Sequence, residues 1–325
     1  MDMQALVYLR YGEPDVLGVK AIPMPEPKDD EVLVRVMAAS VNSWDLDLVR
    51  GRPYVTRLGT GILEPSRNVL GADIAGTVEA VGSNVMGLKI GDRVFADISN
   101  SGWGGFAQFK CVPAPTLAMV PPSMTFEQAA GLGQAASLAL QALHKAAVVP
   151  GETVLVNGGG GGVGIAAIQI ARLMGARVTG VDSDEKLEAM RDAGAEHVID
   201  YRRGDFTAGL RRYDVIVDVV GARSVFRYRR ALSEHGRLVL VGGRTGTLLG
   251  ALLFGPPLSW LTRQRFGILI YRAKATDLDE LARLFDAGKL TPVLEPAVPL
   301  SGAPDAIRRL AEGRVIGKAI IAPNS

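Results

Sequence analysis

The chain has 325 residues, enough for two domains, and its 48% hydrophobic and 22% charged residues are typical of a globular protein. A formal net charge of +2 excludes a general basic field for nucleic acid or an anionic membrane, and the single cysteine excludes a disulfide framework within the chain. The first residues lack the apolar core of a signal peptide, and no run of about 18 apolar residues occurs, so we expect a cytoplasmic protein. The longest apolar stretch, residues 247–261, is interrupted by Gly255, Pro256 and Pro257.

Residues 1–120 have the pattern of a β-rich domain. Short apolar and β-branched runs predict strands at residues 4–9, 31–39, 75–81 and 93–96. Turns rich in glycine and proline separate these runs, which favours a sandwich or a partly open barrel. A helix is predicted over residues 42–50, and a long irregular stretch, residues 51–68, follows it.

A glycine loop follows the strand predicted at residues 153–157. Residues 158–162 are all glycine, and the helical pattern of residues 165–174 comes next. Together with Gly164 they meet the dinucleotide fingerprint G-x-G-x-x-G, in which the backbone approaches a pyrophosphate at a helix start. A strand at residues 177–181 completes a βαβ spacing, which disfavours the alternative of a plain flexible loop. The residues expected to bind the pyrophosphate are Gly159, Gly161, Gly162, Val163 and Gly164.

Strands and helices alternate from residue 153 onward, which predicts a doubly wound parallel sheet. Further strands are predicted at residues 197–199, 214–219, 237–241 and 266–272, and further helices at residues 184–193 and 225–233. An amphipathic helix at residues 277–287 then returns the chain to the first domain.

Several motifs stand in the order and spacing of the medium-chain dehydrogenase/reductase superfamily. They are VNSWDLDLVRG at 41–51, VLGADIAGTVEAVG at 69–82, GDRVFA at 91–96, GGFAQF at 104–109, PPSMTFEQAAGL at 121–132 and VDVVG at 217–221. With the glycine loop, the chain resembles the zinc-independent, zeta-crystallin-like quinone oxidoreductase branch over nearly its whole length. The resemblance implies an α/β fold in which a Rossmann doubly wound parallel sheet, residues 124–272, is inserted into a β-rich GroES-like catalytic domain, residues 1–123 plus 273–325.

The signals for the nicotinamide cofactor conflict. Asp182 lies about 20 residues past the glycine loop, where a carboxylate bonds both ribose hydroxyls and favours NAD(H). Ser183, Lys186 and Tyr201 match positions that hold the 2′-phosphate in NADPH-using relatives, and Arg202 follows them. We expect NADP(H) rather than NAD(H) on this resemblance, with a plain surface lysine as the alternative for Lys186.

No metal is expected. Zinc-dependent members of the superfamily place a cysteine where this chain has Asn42, and they carry a four-cysteine lobe that is missing here. A catalytic zinc needs three converging ligands, and Cys111 and the three histidines supply no recognisable set.

The resemblance also suggests residues for catalysis. Asn42 and Asp45 match the family's N-x-x-D pair beside the nicotinamide, where an amide can bond a substrate oxygen; the alternative for Asn42 is a helix N-cap. Tyr54 lies near the place of a cleft tyrosine in relatives and is the candidate proton donor, with an exposed loop aromatic as the alternative. Leu138 stands where relatives often carry a nicotinamide-contacting threonine, with Ser137 beside it.

Two further turns are candidates for the cofactor site. Gly242 and Gly243 follow a strand and can let the nicotinamide end approach the backbone, or form an ordinary strand-end turn. Asp218 and Gly221 fit a sheet-edge turn near the ribose with similar alternatives.

The leading interpretation is an NAD(P)H-dependent reductase of quinones or of activated C=C bonds such as enones. Its expected partner is a small-molecule substrate, and neither nucleic acid nor a membrane is expected as a partner. A metal-free alcohol or aldehyde oxidoreductase is the second, disfavoured because nothing obvious replaces zinc in polarising a carbonyl. A nucleotide-binding protein without catalytic activity is the third, because a glycine loop indicates binding and not turnover.

A homodimer is expected through the last strand of the Rossmann sheet. The run FGILIYR, residues 266–272, is apolar and β-branched, and the doubly wound order places it at an edge that must be paired or covered. Relatives pair this edge across a two-fold axis, so Ile268 and Ile270 are expected in the interface. The preceding residues 248–261 pack over the same interface or line the substrate cleft, and capping of the edge within one chain is the alternative.

Overall fold

In the computed structural model of the chain, residues 1–66 and 68–324 are described, apart from the side chain of Val55. The chain divides into two compact units: unit 1 comprises Met1–Ser137 and Arg272–Ser325, and unit 2 comprises Leu138–Tyr271. The domain limits given above remain a prediction. The irregular stretch 51–68 contains Arg67, which lies outside the described residues.

Unit 1 is formed mainly by antiparallel strands. Its strands are β1 (Asp2–Val7), β2 (Gly18–Pro23), β3 (Glu31–Ser40), β4 (Asp73–Val81), β5 (Arg93–Asp97), β6 (Phe109–Pro113), β7 (Ala118–Met119) and β14 (Ile320–Ile321). Its helices are α1 (Ser43–Arg50), α2 (Arg57–Thr60), α8 (Ala275–Asp286) and α9 (Ala303–Ala311), and α3 (Phe126–Ala146) begins in unit 1 and ends in unit 2.

The main sheet of unit 1 has the order β14-β3-β4-β5-β7, and β6 also pairs with β3. β3 pairs with three strands, β14, β4 and β6, and its alternate side chains Val32, Val34 and Val36 are fully buried. β14 pairs with the end of β3 at Ala39 and Ser40, so a late segment of the chain completes this sheet.

Unit 2 is a parallel six-stranded sheet with helices in its connections. Its strands are β8 (Thr153–Asn157), β9 (Arg177–Asp182), β10 (His197–Asp200), β11 (Tyr213–Asp218), β12 (Leu232–Leu240) and β13 (Arg265–Ile268). Its helices are α4 (Gly162–Leu173), α5 (Leu187–Asp192), α6 (Val225–Ala231) and α7 (Thr245–Leu261). The order β10-β9-β8-β11-β12-β13 is the dinucleotide-binding order, with the direction of winding reversing between β8 and β11. The predicted doubly wound sheet is confirmed.

One predicted strand of unit 2 is shorter in the structure, and one helix was not predicted. β13 ends at Ile268 instead of residue 272, because its partner β12 ends opposite at Leu240 and offers no further ladder. Ile270 therefore lies beyond the strand and is 80% exposed. No helix was predicted over residues 247–261, but α7 runs through Gly255, Pro256 and Pro257, which interrupt this apolar stretch of the sequence. Proline keeps a helical φ, and its missing N–H costs less where water can bond the freed carbonyl groups.

Candidate cofactor and substrate sites

The glycine loop joins β8 to α4 through backbone positions that side chains would block. Gly158 has a φ of +84°, a conformation that favours glycine. A Cβ on Gly164 would stand 2.1 Å from the carbonyl oxygen of Gly158, so helix and loop approach closely there. α4 begins at Gly162 with Gly161 as its N-cap, in agreement with the strand, turn and helix expected from the sequence.

The start of α4 has the donors that a pyrophosphate needs. The N–H groups of Gly162, Val163 and Gly164 precede the first intrahelical bond, so their usual partners are absent. A Cβ on Gly161 would meet nothing closer than 3.7 Å, which leaves this side of the loop open. These residues fit the phosphates of a dinucleotide, which the amides and the positive end of the helix would hold.

Asp182, at the end of β9, is tied to the loop. Its Oδ2 accepts a hydrogen bond from Gly160 N at 2.9 Å, and its Oδ1 accepts one from Ser183 N at 2.8 Å. Lys186 Nζ lies 3.7 Å from the same Oδ1, and its side chain packs along Gly160. The structure thus brings Asp182, Lys186 and the glycine loop together, and the ammonium offsets part of the carboxylate charge.

The remaining residues of the predicted phosphate site differ in their surroundings. Ser183 is buried beside Asp182, whereas Tyr201 is half exposed. Arg202 extends over the Tyr201 ring at 5.8 Å, and its guanidinium forms an ion pair of 2.8 Å with Glu185. The charge of Arg202 is therefore already partnered, and Lys186 is the cation nearest the glycine loop in this group.

The turns after β11 and β12 are held by a buried polar cluster. Asp218 Oδ2 accepts hydrogen bonds from Asn157 Nδ2 at 2.9 Å and from the Tyr228 hydroxyl at 2.6 Å. A Cβ on Gly221 would stand 2.4 Å from the carbonyl oxygen of Gly242, so these two turns also touch. Gly243 has a φ of +137°. Sequence reasoning missed Asn157 and Tyr228, although a polar residue closing an apolar strand, as Asn157 does, was a usable signal.

In unit 1, Asn42 lies in a buried hydrogen-bonded cluster. Its Nδ2 donates to Asp73 Oδ2 at 2.8 Å, and its Oδ1 accepts from Lys318 Nζ at 2.7 Å. Lys318 also donates to the carbonyl oxygen of Val41 at 2.9 Å. The Asn42 amide is thus oriented by an ammonium on one side and a carboxylate on the other.

Asp73 is the hub of this cluster and was missed from the sequence. It is fully buried, accepts a 2.6 Å hydrogen bond from Ser40 Oγ, and lies 3.6 Å from Lys318 Nζ. Its Oδ1 accepts from Gln134 N at 2.6 Å, where Gly133 breaks the regular geometry of α3. An aspartate opening the apolar strand β4 and a lysine within GKAII were the available signals, since buried charges require partners.

Asp45 is fully buried and serves the backbone. Its two oxygens accept hydrogen bonds from Asn42 N at 2.7 Å and Gly71 N at 2.8 Å. Burial raises the pKa of Asp45 to about 7, against the lowering effects of these two bonds and of Lys318. Burial also lowers the pKa of Lys318, while Asp73 and Asp45 act to raise it. Asp45 therefore caps the start of α1 and fixes the backbone of Asn42, whose side chain bonds Asp73 and Lys318.

The side chains of the other substrate-site candidates form no hydrogen bond with the described residues of this cluster. Tyr54 is 65% exposed and lies beside the guanidinium of Arg57, 5.0 Å from its ring centre. Ser137 is buried, and its Oγ has no partner among the described residues, while its neighbour Leu138 is half-buried. Within residues 1–66 and 68–324, no group of three or more His, Cys, Asp or Glu side chains has the arrangement of a metal site.

Comparison with known proteins places the chain in a family. The alcohol dehydrogenase GroES-like domain matches residues 28–122, and the family described as "Zinc-binding dehydrogenase" matches residues 193–321. Similarity to curated oxidoreductases extends over nearly the whole chain. The chain belongs to the medium-chain dehydrogenase/reductase superfamily, in its quinone oxidoreductase branch, as the sequence motifs predicted.

Individual relatives show the breadth of this family. The chain is 33% identical to a pig quinone oxidoreductase over 98% of its own length and 97% of the relative's. It is equally similar, at 33%, to the 2-methylene-furan-3-one reductase of Solanum lycopersicum, covering 99% of this chain and 79% of that protein. The structure of the quinone oxidoreductase from Coxiella burnetii matches with a TM-score of 0.88 and 30% identity, covering 99% of each chain.

Proposed function

We propose that the protein is an NAD(P)H-dependent reductase of quinones or of activated C=C bonds such as enones. The observation that carries the cofactor in this proposal is the glycine loop of unit 2, with open amides at the start of α4 and Asp182 fixed beside it. Full-length likeness to relatives named for these two reactions, quinone and enone reduction, supports the same class.

Each candidate residue has a part in this proposal. Gly159, Gly161, Gly162, Val163 and Gly164 bind the pyrophosphate, and Gly242 and Gly243 admit the nicotinamide end. A bound reduced nicotinamide supplies the hydride. The Asn42 amide, fixed by Lys318 and Asp73, orients the substrate oxygen, and Asp45 fixes the Asn42 backbone. Tyr54 donates the proton that completes the two-electron reduction.

The experiment measures NADPH oxidation by absorbance with a simple quinone and, separately, with a short enone. Turnover with either substrate, and none in the reverse direction with primary alcohols and NAD⁺ or NADP⁺, is the expected result. Turnover confined to alcohols would assign the protein to the alcohol oxidoreductases. Tight cofactor binding without turnover of any of these substrates would instead support a binding protein without catalytic activity.

We propose further that NADP(H) is the preferred cofactor. Lys186 lies next to Asp182 and weakens the repulsion that this carboxylate would exert on a 2′-phosphate. A fluorescence titration should give tighter binding of NADPH than of NADH. Lys186→Ala should weaken NADPH binding by roughly 1–3 kcal/mol, the range of hydrogen bonds to charged groups, with NADH as the internal control. Equal loss for both cofactors would contradict a phosphate contact.

The absence of zinc remains a proposal. Asn42 occupies the position of the family's cysteine ligand, and its amide is held by Lys318 and Asp73. Elemental analysis should find no stoichiometric zinc, and chelators should leave activity unchanged. About one zinc per chain, with loss of activity on chelation, would overturn the proposal.

We also propose a homodimer through β13. This strand pairs with β12 on one side and with no described strand on the other. Light scattering should give twice the chain mass, and Ile268→Pro should release monomers by removing a ladder donor. A monomer at micromolar concentration, or a dimer that survives this substitution, would show that the edge is covered in another way.

A further inference from the structure

The positive charge of the chain is concentrated in one segment. Residues 201–271 contain twelve arginines and no lysine against three aspartates and one glutamate, a local net charge of +8 in a chain of +2. The guanidinium group forms paired hydrogen bonds to phosphate and is more weakly hydrated than an ammonium. Arg202, Arg203 and Arg237 pair with carboxylates outside the segment, so part of this surplus is neutralised. The arginines that form no ion pair with a described residue point to a phosphate-bearing partner.

Four of these arginines line one open cavity of unit 2. The cavity has a volume of about 850 Å³, and its lining includes Arg212, Arg229, Arg230, Arg263, Trp260 and Leu261. Arg263 pairs with Glu234 at 3.0 Å, whereas Arg229 and Arg230 are exposed and form no ion pair with a described residue. The cavity thus combines at least two unpaired guanidinium groups with a large apolar side chain.

The apolar side chains beside this cavity form one stripe of α7. Leu249, Leu252, Leu253 and Trp260 are 52%, 62%, 68% and 85% exposed, and their separations of three, four and seven residues put them on one face of a helix. Phe254 contacts Phe226 of α6, with ring centres 5.7 Å apart, so the stripe adjoins the helix that carries Arg229 and Arg230. α7 and α6 together present exposed leucine and aromatic side chains next to arginines.

We propose that this surface of α6 and α7, here called the basic-apolar surface, docks on an anionic phospholipid membrane. The leucines and Trp260 would enter the boundary between headgroups and acyl chains, while the arginines bind lipid phosphates. A helix with Trp, Phe and Leu on one side, bordered by basic residues, is typical of interfacial binding. No helix of the described chain is long and apolar enough to cross a membrane, and this mode requires no crossing.

Charge complementarity favours a membrane over the other occupants. In a two-fold contact with a second copy, both copies bring the same patch to the interface, so the unpaired charges of Arg229 and Arg230 would be doubled there without added carboxylates. Glu234 is the one carboxylate lining the cavity, and it is already paired with Arg263. A nucleic acid would satisfy the arginines and stack on Trp260, but it would leave Leu249 and Leu253 without an apolar partner. A phospholipid surface offers both phosphates and hydrocarbon.

Vesicle binding tests the proposal directly. The full-length protein is mixed with phosphatidylcholine vesicles that contain either no anionic lipid or about one third phosphatidylglycerol, and bound protein is separated by sedimentation. Binding to the anionic vesicles, weakened when salt rises from roughly 0.05 to 0.5 M, is the expected result. Binding to neither vesicle, or equal binding to both, would overturn the proposal.

Trp260 provides an internal reporter of depth. The other tryptophans, Trp44 and Trp103, belong to unit 1 and contact each other at 5.9 Å between ring centres. Anionic vesicles should shift the emission of the protein to shorter wavelength, and Trp260→Phe should abolish the shift while leaving most sedimentation intact. The same shift with inorganic phosphate alone would indicate a soluble ligand and would overturn membrane docking.

Matched variants separate charge from apolar contact. Arg229→Gln with Arg230→Gln should weaken vesicle binding roughly 25-fold, about fivefold for each arginine near an anionic surface. Arg10→Gln with Arg283→Gln, which removes two exposed arginines of unit 1 that form no ion pair with a described residue, should have little effect. Leu253→Ser should weaken binding about tenfold, and Met86→Ser, at an exposed apolar residue of unit 1, should not.

Two outcomes would replace the proposal with another partner. If Leu253→Ser converts a dimer to a monomer in light scattering, the surface is a contact between copies of the chain. If a single-stranded oligonucleotide binds as tightly as the vesicles and Leu253→Ser does not affect it, the surface recognises nucleic acid. NADPH oxidation with a quinone does not depend on vesicles, so a failed reductase assay and a failed vesicle assay remain distinguishable.

Discussion

The glycine loop of unit 2 and the Asn42 cluster of unit 1 differ in the part of the residue that they use, the backbone in the loop and the side chains in the cluster. The loop binds through backbone amides, and its residues matter for the side chains they lack: a Cβ on Gly164 would collide with the Gly158 carbonyl group. The cluster depends on side chains that satisfy one another, with Lys318 bonded to Asn42 and close to Asp73 in a buried place. The loop leaves space for a ligand because its residues have no side chains. The cluster has no such space to spare, because side chains of opposite charge occupy it.

This difference determines how each site fails. A buried carboxylate that loses its cation keeps the full cost of burial, so one substitution in the cluster affects the stability of unit 1. A loop that gains a methyl group must shift its backbone, and the first function lost is the binding of phosphate. The following three tests probe this contrast, from the largest expected effect to the smallest.

Lys318→Met should have the largest effect. It removes the ammonium that lies next to Asp73 and leaves this carboxylate buried without it. We expect unit 1 to lose about 3–5 kcal/mol of unfolding free energy, the usual result of removing one member of a buried pair. Urea unfolding followed by Trp44 and Trp103 fluorescence, in a Trp260→Phe background, reports on unit 1. Lys289→Met, at an exposed lysine of the same unit, is the control. A loss no larger than that of the control would mean that the ammonium does not stabilise the cluster.

The pH dependence of stability should reveal Asp45. Its folded-state pKa of about 7 exceeds the ordinary value of 3.8, so its contribution is fully present below that ordinary value and is lost as pH rises through 7. The unfolding free energy of unit 1 should therefore fall by up to roughly 1.4 kcal/mol per pH unit between about pH 4 and pH 7. Lys318, with a lowered pKa, has the opposite sign: its contribution is present above the ordinary lysine pKa and is lost as pH falls.

Asp45→Asn provides the comparison for this titration. The variant cannot take up the proton, so the difference in unfolding free energy between native protein and variant should change across this pH range. Ionisable groups that the two proteins share cancel in the difference. Parallel stability curves for the two proteins would show that Asp45 does not titrate there.

Two glycine variants should separate stability from binding in the loop. Gly164→Ala should cost about 1–3 kcal/mol of unfolding free energy, since its Cβ meets backbone atoms of Gly158 and Gly159. Gly161→Ala should cost less than about 0.5 kcal/mol, because its Cβ meets only the Gly158 carbonyl oxygen at 3.7 Å. Both should weaken NADPH binding, the second because its methyl group occupies space that a pyrophosphate approaches. Equal destabilisation by both substitutions would show that the loop is not open beside Gly161.

The parts of the fold that were predictable depend on neighbours in sequence. The loop, its flanking strand β8 and the start of α4 lie within about 25 consecutive residues, so spacing alone defines them. The doubly wound order follows from the alternation of strands and helices. The resemblance to quinone oxidoreductases gave the family in advance, because its motifs recur in order along most of the chain.

The parts that were not predictable depend on distant residues or on partners. Asp73 and Lys318 are far apart in sequence, and nothing in either local segment indicates that they meet. The end of β13 is fixed by the length of β12 and not by its own apolar pattern, which continues to Ile270. α7 was not predicted, because Gly255 and two prolines interrupt its apolar pattern, whereas the helix accommodates them with its outer face exposed. In each case a local pattern was judged without the neighbour or solvent that decides it.

The position of Lys318 sets an order for folding during synthesis. Ribosomes make the chain from its N-terminus, so all of unit 2 emerges before Lys318 and β14. Until then Asp45 and Asp73 lack this ammonium, and the end of β3 lacks its β14 partner. Unit 2, which is contiguous, can fold while unit 1 is still incomplete. Residues 1–137 are thus made before unit 2, yet their sheet is completed only when residues 318–321 arrive, after unit 2 has been made.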